Sequence, residues 1–504
     1  MPSNSLSKSK YIRGIQCHKS LWLHMKGKVQ PKPHSKLLSS IFEEGTRVGV
    51  EAQKLFPGGK LIQFEGSGND EKIAKTKDWI ASGESTIYEA TFKFDDIVVM
   101  VDILTKGDNG WEFYEVKSVA NVYNKSSEGK IKDIYVNDIA IQYYVLKGSG
   151  LDISSSFLVH INNQYVRQGP LDIKKLFSIV DLTEDAIATQ SKVVDELGTI
   201  REALDGDEPE IEIGVYCNEP HECEFKAHCW KGIPTDNTVF NISGLKSSKK
   251  FELYKSGVTM FEDVPNNYLL SDNQRLQVEA ELSGKETVDL EKINNFLKTL
   301  YYPLCFLDFE TIRQVVPEWE GIMPYKPIPF QYSIHFIEKE GESPKHLEFL
   351  YEENSDPRKS LIDKLIEHIP KGACILTWTD YEARQIRGLA QQFPDYSNRL
   401  LKFCENIIDL SIPFKEKYFY KKEMKGSYSI KKVLPALLGH SPYSEIAINE
   451  GMDASNNFIK LLSDKNLTQS DREKIKNDLK IYCKQDTQGM IDVFEYLTQI
   501  SFNY

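Results

Sequence analysis

Apolar positions along the chain fall into two kinds of run, short continuous stretches that read as buried strands and stretches spaced three and four apart that read as helices. The clearest strand is Leu304–Leu307, which follows Pro303 and runs into Asp308-Phe309-Glu310. Residues two apart on a strand share a face, so Asp308 and Glu310 point the same way and Phe309 turns into the core. Val98–Asp102 predicts another apolar strand. Trp111–Lys117 predicts the next, with Glu115 and Lys117 on one face. Residues 373–390 predict a strand followed by a helix. Ile481–Leu497 predicts an amphipathic helix on which Tyr482 and Asp486, four apart, share a face. Tyr11–Trp22 predicts an opening amphipathic helix. Residues 236–298 read as a helical linker, with a helix-hairpin-helix gripping phosphate through loop amides as the alternative around Gly257. The proline-rich stretch Pro324–Phe336 enters a strand, and its Tyr325 and Phe330 either stack on bases or pack the sheet edge.

Two carboxylates side by side on a sheet repel unless a cation lies between them. Mg²⁺ or Mn²⁺ suits such hard oxygen ligands. A pair of these ions about 3.5–4 Å apart holds both the attacking and the leaving oxygen in phosphodiester cleavage. The eight cysteines divide into two groups. Cys305, Cys374, Cys404 and Cys483 lie in apolar or helical context and read as packing residues. Cys17 and the trio Cys217, Cys223 and Cys229, spaced six apart, supply four thiolates, enough for an iron–sulfur cluster or a zinc ion. His18, His221 and His228 lie nearby, but the fourfold cysteine set makes them superfluous as ligands.

Composition narrows the setting. A chain of 504 residues holds two or three domains, and 40% apolar with 27% charged residues is ordinary for a globular protein. The opening Met-Pro-Ser-Asn-Ser-Leu-Ser-Lys lacks a signal-peptide core and no run approaches 18 uncharged apolar residues, so a cytoplasmic protein without membrane spans is expected. In that compartment disulfides are not expected. A net charge of −12 argues against indiscriminate coating of nucleic acid. Residues 1–40 nevertheless hold eight Lys/Arg and no acid, either a local basic patch or a solvated terminus.

Two resemblances rest on these residues. The strand Asp308-x-Glu310 and the helix Tyr482-x-x-x-Asp486 resemble the first and third motifs of the DnaQ-like, RNase H-fold exonucleases. That family implies four acidic ligands and a tyrosine that orients the attacking water. Its middle motif is usually Asn-x-x-Phe-Asp. Aligned on Tyr381, it puts Glu382 at the acidic position and Trp378 where Asn is usual, with Asp380 as a rival ligand. By the same resemblance Asp409 lies near the metal site, and Ser429 and Lys431 contact substrate.

The one-plus-three cysteine arrangement resembles the four-iron cluster of the CRISPR-associated and AddB-like members of the RecB nuclease family. It implies a [4Fe–4S] cluster on Cys17, Cys217, Cys223 and Cys229 around a PD-(D/E)xK core. Asp102 and Glu115 would hold metal, Lys117 would sit near the scissile phosphate, and Gln142 with Tyr143 or Tyr144 would lie near substrate. Glu51 falls where relatives carry a metal-binding His. The whole is similar to an uncharacterised bacterial family that fuses the two nucleases. Together the resemblances imply an α/β protein in three parts: a restriction-endonuclease-like domain with an iron–sulfur cluster (1–235), a helical linker (236–298) and an RNase H-like domain with a mixed sheet (299–504). They also imply a two-site, metal-dependent nuclease with 3′→5′ exonuclease activity in its last domain, working in DNA repair and processing or in defence against mobile elements. Its substrate would be nucleic acid, single-stranded DNA first and RNA second, and protein partners are left open. The rival expectation is a nucleic-acid-binding or sensing module in which one or both sites are degenerate.

Overall fold

The computed structural model describes residues 5–32, 36–63, 68–124, 129–448 and 450–502 of a mixed α/β chain. It divides into two compact units, Met1–Gly232 with Gln314–Tyr325, and Ile233–Arg313 with Lys326–Tyr504. Among the described residues, no helix is long and apolar enough to cross a membrane.

The first unit opens with β1 (Leu6–Ser7), α1 (Lys8–Gln16) and α2 (His18–Lys26). The single opening helix expected from periodicity is therefore broken in two. Cys17 takes an extended backbone (φ −167°, ψ 116°), and this breaks the helical ladder at the thiol. Then come α3 (Lys36–Gln53), β2 (Lys60–Leu61), α4 (Asn69–Ala81), β3 (Thr86–Phe94), β4 (Ile97–Gly107), β5 (Gly110–Lys117), α5 (Asp133–Gly148) and β6 (Ile153–Ile161). The last are α6 (Ile173–Leu176), β7 (Phe177–Asp181), α7 (Thr183–Ala188), α8 (Gln190–Asp205) and α9 (Lys226–Cys229). The sheet runs β2-β3-β4-β5-β6-β7, with β1 added to β4. Alternation along the strands feeds two cores: Leu104, Phe113 and Leu158 pack with α1, α5 and α8, while Ile103, Tyr114 and Val159 pack with Val48 and Ala52 of α3.

The second unit begins with α10 (Ser247–Lys255), α11 (Asp272–Ser283), β8 (Thr287–Val288) and α12 (Leu290–Leu297). The residues expected as a separate linker thus belong to this unit. Val239, Ile242, Leu253, Phe261 and Val278 form a core of their own, and β8 pairs with β14 (Phe419–Tyr420). Between them lie β9 (Leu304–Arg313), β10 (Pro327–Ile337), β11 (Lys345–Leu350), α13 (Arg358–His368), β12 (Cys374–Thr377), α14 (Tyr381–Gln392), α15 (Pro394–Glu405), β13 (Ile407–Asp409) and α16 (Ile412–Lys415). The chain ends with α17 (Ile430–Leu438), α18 (Gly451–Ser463) and the 34-residue α19 (Gln469–Phe502).

The five-stranded sheet has the order β11-β10-β9-β12-β13 and is mixed: β9 and β10 are antiparallel, β9 and β12 parallel. β9 is central. Its Cys305, Leu307 and Phe309 are buried with Leu361 of α13 and Ile386 of α14, so Asp308 and Glu310 are left on the face toward α19. Burying a large apolar side chain contributes roughly 1.5–3 kcal/mol. That anchors β9 against the repulsion its acids create on the other face.

Candidate functional site

In the second unit β9 and α19 bring three carboxylates together: one ligand oxygen each from Asp308, Glu310 and Asp486 lie within 4.8 Å of one another. Glu382, in the first turn of α14, is only 2% exposed, and its Oε2 has no hydrogen-bond partner. Burial pushes the Asp308 and Glu310 carboxyls well above the usual range, and Asp486 adds to both. Glu382 is pushed up to about 8, chiefly by burial, with Asp409 and Asp486 contributing. Asp486 rises to about 6 through burial, opposed by the hydrogen bond from Tyr443 and by the charge of Lys431. Tyr443 donates its hydroxyl to Asp486 Oδ1 at 2.6 Å, and Lys431 Nζ donates to the Tyr482 hydroxyl at 2.8 Å.

A second layer pins α19. Thr487, next to Asp486, bonds Ser333 (2.7 Å) and His335 Nδ1 (2.8 Å), and Ser333 also meets His346 at 3.0 Å. Burial lowers the His335 pKa to about 4, with His346 adding to the effect, so the ring stays neutral. Ser333 pairs with Asp308 across β9 and β10, and Gln331 with Glu310. The Gln331 amide donates to the Leu479 carbonyl at 2.9 Å. Each such bond is worth about 0.5–1.5 kcal/mol net. Together they set the rotation of α19 that turns Asp486 toward β9.

Other expected residues have partners of their own. Asp380 is exposed and pairs with Arg384 at 3.2 Å, whereas Glu382 is buried. Asp409 Oδ1 is committed to the amides of Thr379 and Ser411, both at 2.9 Å, and to the Ser411 hydroxyl at 2.6 Å. Trp378 donates its ring N–H to the Tyr428 carbonyl at 3.1 Å, and Ser429 precedes α17. Phe330 is buried and stacked on Phe458 at 3.8 Å, so its ring packs the unit and offers no face to a base. Tyr325 likewise packs in a first-unit core, its hydroxyl 3.4 Å from Ser118.

Acids whose folded pKa is raised bind protons more tightly than the unfolded chain does. Stability is therefore highest below about pH 4 for these groups and is lost as pH rises through about 6 for Asp486 and about 8 for Glu382. Thermal melts of chelator-treated protein are expected to show the second unit losing stability across this window, and Mn²⁺ should flatten the dependence. A melting temperature that rises steadily over the same window would contradict the electrostatic account.

The first unit gathers a different group. Glu115 Oε1 accepts from both Lys117 and Lys8 at 2.6 Å. Asp138, on α5, accepts from Lys117 at 2.6 Å and Lys8 at 3.3 Å. Asp102 Oδ2 accepts the Val116 amide at 2.6 Å. Burial, then Glu115, pushes Asp102 up to about 8. Burial would also raise Glu115, but Lys117 and Lys8 outweigh it and hold that carboxyl at about 2. Gln142, expected at the substrate, is fully buried and donates to Glu115 Oε2 at 2.9 Å, so it positions that carboxylate instead. Tyr143 packs against the core, and Tyr144 bonds Asp95 at 2.9 Å.

Glu51, expected as a metal ligand, pairs with Lys54 one turn on, at 2.7 and 2.8 Å. The α3 carboxylate near the end of β5 is Glu44, 3.4 Å from the Ser118 hydroxyl. On β3, Glu89 has φ +58°, an unusual conformation for a residue with a side chain. Burial raises its carboxyl, and the charge of Glu115 adds to that. Lys8, Asp138, Glu89 and Tyr443 are thus site residues that motif spacing does not reveal.

The four cysteines also meet. Cys17, Cys217, Cys223 and Cys229 line one pocket with Lys19 and Ser20. Burial raises the Cys17 thiol, and it raises Cys229 to about 11, each with contributions from its cysteine neighbours. Gln16, the last residue of α1, donates to the carbonyls of Tyr216 (2.8 Å) and His221 (2.7 Å), fastening the helix end to the cysteine segment. His228 pairs with Glu208 at 2.8 Å, and His18 lies 3.9 Å from Glu196. The thiols are left as the soft ligands. Cys305, Cys374 and Cys483 are buried and Cys404 is half-buried; the Cys483 thiol lies 3.9 Å from Asp308 Oδ2.

Comparison with known proteins adds little about activity. A family profile described as "Domain of unknown function (DUF2779)" matches residues 305–429, a span holding Asp308, Glu310 and Glu382 and ending before Tyr482 and Asp486. A relative described as "Uncharacterized protein UU173", from Ureaplasma parvum serovar 3, is 23% identical over 292 residues, which cover 54% of this chain and 39% of the relative. The chain thus spans about two-fifths of that relative's length. A solved structure described as "Crystal structure of SSO0001" shares 11% identity over 45% of this chain and 87% of its own, with a TM-score of 0.22.

Proposed function

We propose that this chain is a metal-dependent nuclease whose principal site is the carboxylate group of the second unit. One observation carries the reading. Three carboxylates converge within 4.8 Å, beside a buried fourth whose Oε2 has no protein partner. Like charges in that arrangement call for hard cations, and the all-oxygen donor set suits Mg²⁺ or Mn²⁺. Asp308, Glu310, Glu382 and Asp486 would hold the ions, which when bound supply charge stabilisation and a water of lowered pKa. Tyr482, its hydroxyl held by Lys431, orients that water toward the phosphate. Tyr443 fixes the Asp486 carboxylate. The Lys431 ammonium adds positive charge where the phosphate must sit. Nucleic acid is the substrate class, single-stranded DNA first and RNA second, with 3′→5′ polarity.

The first unit is read as a RecB-like nuclease core in which Asp102, Glu115 and Lys117 serve, bound together by a [4Fe–4S] cluster on the four cysteines. A degenerate first site, leaving a binding module there, is the second reading. It is favoured by Glu51 facing Lys54 and by two lysines occupying Glu115. Localisation in the cytoplasm fits both.

The test is digestion of end-labelled single-stranded DNA and RNA with Mn²⁺ or with EDTA, by wild type, Asp308→Ala and Lys117→Ala. A 3′ ladder that disappears in Asp308→Ala and in EDTA is expected. A separate product lost only in Lys117→Ala would assign the first site. If wild type leaves both substrates intact, or cuts equally well in EDTA, the proposal fails.

A further inference from the structure

The first-unit site contains one more cation than the Glu-x-Lys pattern supplies. Lys8 opens α1, and its Nζ lies 2.6 Å from Glu115 Oε1 and 3.3 Å from Asp138 Oδ1. Lys117 takes the same Glu115 oxygen and the other Asp138 oxygen, both at 2.6 Å. The four residues form a closed ring of alternating charge. Glu115 is 2% exposed and its remaining oxygen accepts from Gln142, which is fully buried and whose own Oε1 has no partner. Both oxygens of Glu115 therefore already carry donors.

A divalent ion cannot approach Glu115 while two ammonium groups share one of its oxygens, because like charges at that range repel strongly in a buried setting. One lysine has to leave. Lys117 stands two residues along the same strand, and its side chain is tied to the backbone that carries Glu115. The two side chains are similarly exposed, 23% for Lys8 and 27% for Lys117, but Lys8 comes from a separate element and can swing away without disturbing the strand that carries Glu115. The helix behind it stays put: Tyr11 is buried, and a side chain at Gly14 would collide with Ile200.

We propose that Lys8 is a resident counter-ion of the first-unit site, displaced from Glu115 by the entering divalent ion and then free to contact a phosphate of the nucleic acid. The inference rests on the nuclease reading of that unit, but its first half concerns cation exchange alone. A lysine used this way holds the carboxylates together when no ion is bound, which spares the unit an uncompensated buried charge.

The experiment uses the full chain carrying Asp308→Asn and Glu310→Gln, so that Mn²⁺ binding reports the first unit. Free Mn²⁺ is followed by its paramagnetic resonance signal during titration. Lys8→Met is expected to bind Mn²⁺ at least tenfold more tightly and to bind single-stranded DNA several-fold more weakly in Ca²⁺. Lys8→Arg, which keeps the charge, should leave Mn²⁺ affinity near the parent value. Where Lys8→Met does not fold, as judged by circular dichroism, Lys8→Gln keeps a donor for Glu115 without the charge and gives the same reading. Unchanged or weaker Mn²⁺ binding in a folded, uncharged variant overturns the proposal. Tighter Mn²⁺ in a protein that cleaves nothing would sink the nuclease reading of the first unit and leave the exchange standing.

Discussion

Asp308→Asn is expected to make the metal-free protein more resistant to heat while removing its exonuclease activity. The buried acids of the second unit are held at raised pKa by burial and by one another, so ionising any of them without metal costs the fold stability as pH rises. Removing one charge relieves the other three at little cost in volume. A gain of the order of 1 kcal/mol corresponds to about 2–4 °C in a unit of this size. Loss of a charge-organising group should cost at least about 10²–10³-fold in rate. Mn²⁺ should reverse the ranking, because wild type gains stability from binding the ion and the variant gains less. Differential scanning calorimetry with and without Mn²⁺, beside the digestion assay, checks each part. A variant that is less stable than wild type in EDTA would mean that Asp308 is a packing residue whose charge is compensated by the protein.

Cys217→Ala is expected to empty the cysteine pocket of metal and unfold the first unit. Cys217 is buried beside the other three thiols, and Gln16 ties α1 to the same segment. Structural metal centres contribute on the order of 10 kcal/mol to small domains, against a typical total stability of about 5–15 kcal/mol. A buried thiol that merely packs would cost roughly 1 kcal/mol on truncation. The two accounts differ enough to decide. Anaerobically purified wild type should be brown, with iron and acid-labile sulfide in equal amounts. The variant should be colourless, and limited proteolysis should remove residues 1–232 while leaving a fragment starting near residue 233. Zinc in place of iron would keep the structural role and overturn the cluster assignment. A variant with unchanged metal content and melting behaviour would leave the thiols as packing residues.

How much of this can be read from the chain depends on how local each feature is. Asp308 and Glu310 are legible because a spacing of two on a strand dictates a shared face, and Tyr482 with Asp486 because a spacing of four does so on a helix. Both survive any tertiary arrangement. Glu382 is legible by its place after β12, and burial separates it from exposed Asp380. Glu51 pairs with Lys54, and periodicity marks the face of α3 without saying which turn of it meets β5; Glu44 is the acid beside Ser118. Lys8 lies 107 residues from Glu115, and its neighbours in sequence look like a basic terminus. Tyr443 sits in a turn with no periodicity, and only the fold aims it at Asp486. Periodicity marks the helices in 236–298 but has no means of showing β8, whose partner comes 131 residues later, in β14. A helix pattern places Gln142 near the first site, but its complete burial, which makes it a support for Glu115, follows from the packing of α5 alone.

The break at Cys17 also bears on how the chain is made. Lys8 opens α1 and Cys17 lies between α1 and α2, but the partners of these residues lie at 115, 138 and 217–229. At a ribosomal pace of about 5–20 residues per second, Cys17 waits roughly 10–40 s for the last of its companions. Closing so long a loop costs only about 0.6 kcal/mol more than closing one half its length, so the delay is a matter of timing more than of energy. Tyr11 and Leu21 gain partners in β4, α5 and α8 along the way, but Trp22 waits for Phe225, beside the last cysteines. Under the proposed cluster assignment, metal delivery would follow synthesis, once all four thiols are present.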